Sequence, residues 1–308
     1  MTARQRKDLK TRWRDFRRSI APRMREFQKS LWMIRGSPLS MVGLIIILGL
    51  IFAAIFAPII TPYGAEERIW TDIKDAPSGD HWFGTDDSGG DVFSRIIWGS
   101  QISLKIGILV VVTAGVLGST LGVVAAYFGK WVDEIIMRIT DIFIAFPGLI
   151  LAMAVASALG RSIENVMLAL VVVWWPAYAR LVRSVALSVR EQKYIESARA
   201  VGAGNRRIVF RHMLPNCMSP MLVQGTMDMG AVMLVAAGLS FIGFGAQPGQ
   251  AEWGRMVADG QAYFITYPWI SFFPGMAIFL TVLGFNLFGD GLRDIMDPKL
   301  RSLVRRRF

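Results

Sequence analysis

Few residues in this chain have the types and spacing for bond-making chemistry. There is one cysteine, Cys217, and two histidines, His81 and His212, far apart. No disulfide can form within the chain, and no cysteine stands near His81 to complete a zinc site. The sequence holds no His-Glu-x-x-His, no Ser/His/Asp set and no paired catalytic carboxylates. Gly129-Lys130 is followed by Trp131 and lacks the upstream glycine of a P-loop, so this chain has no P-loop cradle for ATP phosphates. What remains is the chemistry of binding. Residues Tyr194 to Asn216 carry Glu196 and four arginines, Arg199, Arg206, Arg207 and Arg211, between two long apolar stretches. Such groups form directional ion pairs with another protein.

The elements that must position these charges are short helices. Ala198, Ala200 and Val201 can share a helix with Glu196 and Arg199 on its wetter side. Gly202 and Gly204 permit a turn with positive φ, and Asn205 is placed to cap a second helix. That helix is expected from about Arg206 to Leu214, closed by Pro215. The result is a helix-turn-helix held at a membrane surface.

Composition supplies the membrane. The 308 residues are 53% hydrophobic and 19% charged, and the mean hydropathy is positive. About 20 apolar residues cross a bilayer. Six stretches meet this: Leu39–Ile60, Ile102–Phe128, Ile135–Leu159, Asn165–Leu187, Ser219–Phe244 and Trp269–Phe288. The predicted class is an all-α polytopic membrane protein with six transmembrane helices. Charge assigns the sides. The segment before the first span holds twelve Lys/Arg against three acids, and the loop Thr61–Gly99 holds three against eight. The stretch Arg183–Arg211 holds seven Lys/Arg, and the tail from Arg293 holds six. Alternation through six spans puts every basic block on one face, which the positive-inside rule makes cytoplasmic, with both termini. The net charge of +11 is therefore topological. No nucleic-acid partner is expected, because base-stacking aromatics do not interleave with the basic blocks.

The organisation expected is a basic amphipathic segment over 1–38, a first span over 39–60 and an acidic extracytoplasmic loop over 61–100. A five-helix core follows over 101–291, with the polar loop at 188–216, then a basic cytoplasmic tail over 292–308. In the first segment Leu9, Trp13, Phe16, Ile20, Phe27, Leu31 and Ile34 recur at helical spacing among Arg and Lys, which reads as a helix on an anionic membrane surface, broken at Pro22; the alternative is a disordered basic tail. Within the spans, Arg138 and Asp141 lie one helical turn apart and read as an ion pair. Asp228, with Gln224 nearby, is a candidate for the translocation pathway or for pairing with a partner, and Asp141 is kept with them. Lys105 can snorkel. Met221, Met227, Met229 and Met233 read as packing, and Gly115, Gly118 and Gly122 as sites of close helix approach.

The polar loop resembles the EAA loop of permease subunits of binding-protein-dependent ABC importers. Glu196-Ser197-Ala198, then Gly202, then Leu214-Pro215 stand at that family's spacing. Ser197 replaces the middle alanine, and His212 stands at an apolar position. A second resemblance, to the second-subunit (C) type of dipeptide/oligopeptide permease, rests on Gly84-Thr85-Asp86, Gly89, Asp91, Ser94-Arg95 and Ser103-Leu104. Leu239-Ser240-Phe241-Ile242-Gly243 and Gly289-Asp290-Gly291-Leu292-Arg293-Asp294 extend it. Gly90 and Gln101 stand where that family commonly has arginine, and Ala236 where it often has glutamate.

The resemblance implies a type I ABC importer permease fold in the cytoplasmic (inner) membrane of a prokaryote. It implies a transporter subunit moving di- or oligopeptides, with no ATPase site of its own. The partners implied are a second, homologous permease, two cytoplasmic ATPase subunits and an extracytoplasmic binding protein. No cofactor is expected on this chain; ATP and Mg²⁺ would be held by the partner subunits. The coupling residues implied are Glu196, Ser197, Ala198, Arg199, Ala200, Gly202, Leu214 and Pro215. The acidic loop, with Asp86, Asp87 and Asp91, is read either as a docking surface for the binding protein or as a solvated cap. The same machinery importing nickel, an oligosaccharide or an antimicrobial peptide stays open. An ATPase-independent secondary transporter would need matching broken helices in both halves, which the sequence lacks.

Overall fold

The computed structural model describes residues 37–296. The expectations for the amphipathic N-terminal segment and for most of the basic tail fall outside that range. Apolar runs dictate the helices. Helix α1 (Pro38–Ile60) opens with proline in its first turn and contains no charge. It ends at Thr61, whose hydroxyl donates to the Ala57 carbonyl at 2.8 Å. Helix α2 (Val92–Phe128) starts ten residues before the predicted span, because the Asp91 carboxylate accepts from the Ser94 amide and caps it there. Its 37 residues would reach about 55 Å, well beyond a hydrocarbon core of about 30 Å. Gly129, at φ +62°, stops it.

The third predicted span is not one straight helix. It divides into α3 (Lys130–Ala145) and α4 (Gly148–Leu159), bent by 93°. The cause is local: Pro147 pushes Phe146 to extended backbone, φ −82° and ψ 139°. Hydropathy sums across such a break without seeing it. Among the described residues, five helices are long and apolar enough to span a membrane, six if the bent pair counts as one.

Helix α5 (Ile163–Arg190) is capped by Ser162 and leads into the short α6 (Lys193–Ala200). Asn205 then begins a helical stretch that runs to Phe241. It passes through a π-helical turn at Ile208–Met213 and a 3₁₀ turn at Leu214–Cys217 into α7 (Met218–Phe241). Pro215 therefore does not close the helix. It lies in the first turn of the 3₁₀ segment, where its missing N–H and fixed φ are tolerated. Helix α8 (Trp253–Gly260) is capped by Glu252, and α9 (Trp269–Met296) follows. Among the described residues there is no strand, only an isolated bridge between Thr85 and Asp91.

The centre of the bundle is α2 against α5 and α7, with Ile106, Val110, Leu170, Val232 and Leu239 buried together. Glycine sets the α2–α5 distance. A Cβ at Gly118 would strike the Trp175 carbonyl and lie 2.7 Å from Tyr178 Cβ; one at Gly122 would strike the Ala179 carbonyl. Gly115 is different: its nearest neighbours would be 3.8 Å away, ordinary contact.

Candidate functional site

The loop joining α5 to α7 is built on an apolar floor. Ile195 from α6 and Ile208, Val209, Met213 and Cys217 from the returning chain are buried with Val123 and Ala126 of α2 and Val182 and Ala186 of α5. Two polar contacts add to this. The Tyr127 hydroxyl lies 2.7 Å from Asn205 Oδ1, and Arg190 donates to the Ala126 carbonyl at 2.8 Å. Asn205 is thus not the helix cap; Gly204 occupies that place, with φ −66° and not the positive value expected. Gly202 does take the left-handed conformation, φ +81°. The Gly202 amide donates to the Arg199 carbonyl and the Ala203 amide to the Ala198 carbonyl, which is the double bond pattern of a Schellman stop. Glycine is required there because a Cβ is disfavoured at that φ.

With its floor anchored, the segment turns its charge outward. Glu196, Ser197, Arg199, Ala200, Gly202, Arg206, Arg207, Arg211 and Pro215 are exposed, and Ala198 and Leu214 are half-buried. Arg199 stacks over the Tyr127 ring at 5.2 Å. Among the described residues, Glu196, Arg206, Arg207 and Arg211 make no ion pair. Val201 is 84% exposed at the tip. The surface is an anchored, mixed-charge knob with apolar points, free to pair with a protein of complementary charge.

The remaining predicted residues sit elsewhere. Asp141 is exposed and bonds Arg180 of α5 at 2.7 Å, while Arg138 reaches Glu134 instead, at 3.7 Å. The expected Arg138–Asp141 pair is corrected: helical spacing sees only neighbours on one helix, and α5 supplies a better one. Beside it, Arg183 grips Asp133 through two bonds of 2.5 Å. Asp228 is buried in α7, and Gln224 donates to its Oδ1 at 3.0 Å. Its carboxylate is turned against Tyr178 and Trp174 of α5.

At the acidic end, Asp86 and Asp91 are buried. Asp86 accepts from the Ser88 and Gly90 amides and pairs with Arg95. Asp91 caps α2 and lies 2.9 Å from His81 Nδ1. As docking candidates these two are corrected: an acid count does not reveal which carboxylates the loop uses internally. Asp87 is half-buried and Glu66 and Glu67 are exposed, and burial with the nearby Asp259 raises the Asp87 pKa above the usual carboxylate value. The loop is tied to its neighbours: Arg68 and Arg95 donate to the Gly249 carbonyl, and Trp269 to the Thr85 carbonyl. At Gly90 a side chain would meet Arg68 Nη1 and Arg95 Cδ, each at 2.9 Å, so two arginines already fill that space. Gln101 donates to the Ala54 carbonyl of α1, and Ala236 is packed in the central core.

Residues 118–302 match the family model described as binding-protein-dependent transport system inner membrane component. The chain belongs to that family. This permease also matches, over residues 26–77, the N-terminal TM domain of oligopeptide transport permease C. It is 45% identical to the dipeptide transport system permease protein DppC of Alkalihalophilus pseudofirmus, over 90% of this chain and 91% of that one. It is 46% identical to the probable D,D-dipeptide transport system permease protein DdpC of Escherichia coli, over 88% and 91%. To the glutathione transport system permease protein GsiD of Pectobacterium atrosepticum it is 43% identical, over 96% and 94%. A chain of the MetNI methionine ABC transporter shares its fold, with a TM-score of 0.53 and 19% identity, over 67% of this permease and 98% of that chain. This permease is thus an inner membrane component of a binding-protein-dependent transport system, all-α and polytopic.

Tyr127, Arg183 and Tyr178 were not singled out from the sequence. Each acts through a partner far along the chain, and one-dimensional spacing carries no signal for that.

Proposed function

We propose that this chain is one of two related permeases of an ABC importer for di- or oligopeptides, driven by two separate ATPase subunits. Residues Glu196 to Pro215 form the coupling surface on which the ATPases act, and ATP and Mg²⁺ are held by those subunits. The observation that carries this reading is the outward knob at Tyr194–Asn216: anchored on α2 and α5 beneath, unpaired in charge above. Such a surface is open to a partner, and the EAA spacing fits that partner being an ATPase. Closure of the ATPases moves the knob, and the knob must make different contacts in the two states of the transporter for that motion to do work. The knob faces the cytoplasm with both termini, and the acidic end faces outward to a substrate-binding protein. The exposed Glu66, Glu67, Asp75 and Asp80, with the half-buried Asp87, are the acids of the first outer loop open to it, because Asp86 and Asp91 are internal. The names of the similar dipeptide and glutathione permeases support a peptide cargo. Proteoliposomes holding both permeases, the ATPases and the binding protein test it. ATP-dependent accumulation of labelled di- or oligopeptides is expected; uptake of nickel or an oligosaccharide with none of peptides overturns the cargo.

A further inference from the structure

The two helices that carry the knob, α5 into it and α7 out of it, touch again inside the membrane through an isolated polar pair. Tyr178 of α5 is 1% exposed and Asp228 of α7 is 8% exposed. Gln224 satisfies Asp228 Oδ1. Asp228 Oδ2 and the Tyr178 hydroxyl are both sealed from solvent, and neither has a hydrogen-bond partner. The two groups lie against each other, with Trp174 beside them. Apolar side chains pack around the pair: Ala114, Trp175 and Ala179, with Val111 and Met221 at the edge. Gly225 places α7 beside the Tyr178 hydroxyl, which would lie in ordinary contact at 3.6 Å from a Cβ there. In such a place an unsatisfied carboxyl and phenol are costly, and the arrangement that satisfies both is donation from the Tyr178 hydroxyl to Asp228.

The position of the pair along each helix matters more than its polarity. Tyr178 lies twelve residues before the end of α5 at Arg190, and Asp228 lies eleven after Cys217. At 1.5 Å per residue these are about 18 Å and about 16 Å from the loop, so the contact crosses both helices at one depth. The buried cluster of Val182, Ala186, Met213 and Cys217 lies between it and the knob. The loop, the cluster and the polar pair together close a frame.

We propose that Tyr178 and Asp228 form a crossbar that makes α5 and α7 move as one body when the knob is displaced. They are positioning residues for transport, and this rests on the reading of Tyr194–Asn216 as the coupling surface. Without the crossbar, displacement of the knob is absorbed as sliding between α5 and α7 before it reaches the outer half of the bundle.

The test uses the full transporter in proteoliposomes, with substrate imported per ATP hydrolysed as the readout and thermal unfolding measured alongside. Tyr178→Phe is expected to retain the ATPases and their hydrolysis while import per ATP falls about ten-fold, equivalent to about 1.4 kcal/mol. Asp228→Asn, whose amide can still bond the Tyr178 hydroxyl, is expected to keep near-normal coupling. The double variant Tyr178→Phe/Asp228→Leu removes both buried polar groups. It is expected to recover thermal stability relative to Tyr178→Phe, because only the half-buried Gln224 amide loses its partner, but not coupling. Unchanged coupling in Tyr178→Phe, or recovery of coupling together with stability in the double variant, overturns the crossbar. Gly202→Asp, run in parallel, separates the two ideas: if it keeps both ATPase association and import, the coupling surface itself is wrong.

Discussion

Gly202→Asp should separate folding from coupling more cleanly than any other single change. The backbone at Gly202 has φ +81°, so a side chain there is strained. Left-handed backbone costs an ordinary residue about 1–2 kcal/mol, and aspartate sits at the low end because its short polar group bonds locally. Nothing else opposes it: a Cβ at Gly202 would have no atom within 4 Å. The expected loss of stability is therefore about 1 kcal/mol. Ile195, Ile208, Val209 and Met213 beneath the knob stay packed. The new carboxylate instead projects from the tip, beside Val201, into whatever docks there. The assay is a three-part comparison with wild type: amount of chain in the membrane, ATPase subunits recovered with it, and substrate uptake. Membrane level should stay within about two-fold, while ATPase recovery and uptake are lost. Gly204→Ala is the comparison, because that glycine is equally open but has φ −66°, carries no strain and gains no charge; its ATPase recovery and uptake should fall far less than those of Gly202→Asp. Wild-type uptake and ATPase recovery in Gly202→Asp would refute the docking argument. Loss of the chain from the membrane would refute the claim that the site is open.

Gly118→Val is the opposite case: its Cβ would meet backbone of α5, which cannot step aside. Overpacking of about 1–3 kcal/mol or more is expected, read as reduced folded protein and a lower melting temperature with the knob itself untouched. Asp141→Ala should change stability by less than about 1 kcal/mol, because its pair with Arg180 is more than half exposed on both sides. Asp133→Ala removes both bonds to Arg183 at a less exposed site, so it should destabilise more, and thermal unfolding of the two variants decides the order. His81 supplies a pH dependence. Burial alone would lower its pKa, but its bonds to Asp91 and Asp72 outweigh that and raise it above 6.5. The buried ring also stacks on Tyr63. A raised pKa means that its contribution to the outer loop is complete below pH 6.5 and is lost as pH rises through the folded value. Limited proteolysis of the loop from about pH 5 to 8 should show protection fading toward the alkaline side in wild type. The change should be absent in His81→Gln.

The spans were legible because long apolar runs have few other fates, and Gly202 because a helix stop demands a residue free of Cβ. The bend at Phe146–Pro147 was not, since hydropathy averages over a change of direction that one proline imposes. Gly115 and Gly118 look alike in sequence, yet only Gly118 faces the α5 backbone; helical phase alone does not say which turn makes the contact. Asp86 and Asp91 read as surface charge because counting acids ignores the Ser88 and Gly90 amides, His81 and Arg95 that enclose them. Asp228 stands out in the sequence because it is an acid in a span, but its contact with Tyr178 does not, since Tyr178 lies fifty residues away in the chain.

The central claim is that the knob at Tyr194–Asn216 meets an ATPase. It is tested most directly by placing the photo-crosslinker p-benzoylphenylalanine at Val201, the 84% exposed tip residue, in the assembled transporter. Trp82, 61% exposed at the acidic end, serves as the reference position. Illumination should yield an adduct with an ATPase subunit from position 201 and none from position 82. An active complex that gives no ATPase adduct from position 201, or gives one from position 82, would contradict the account.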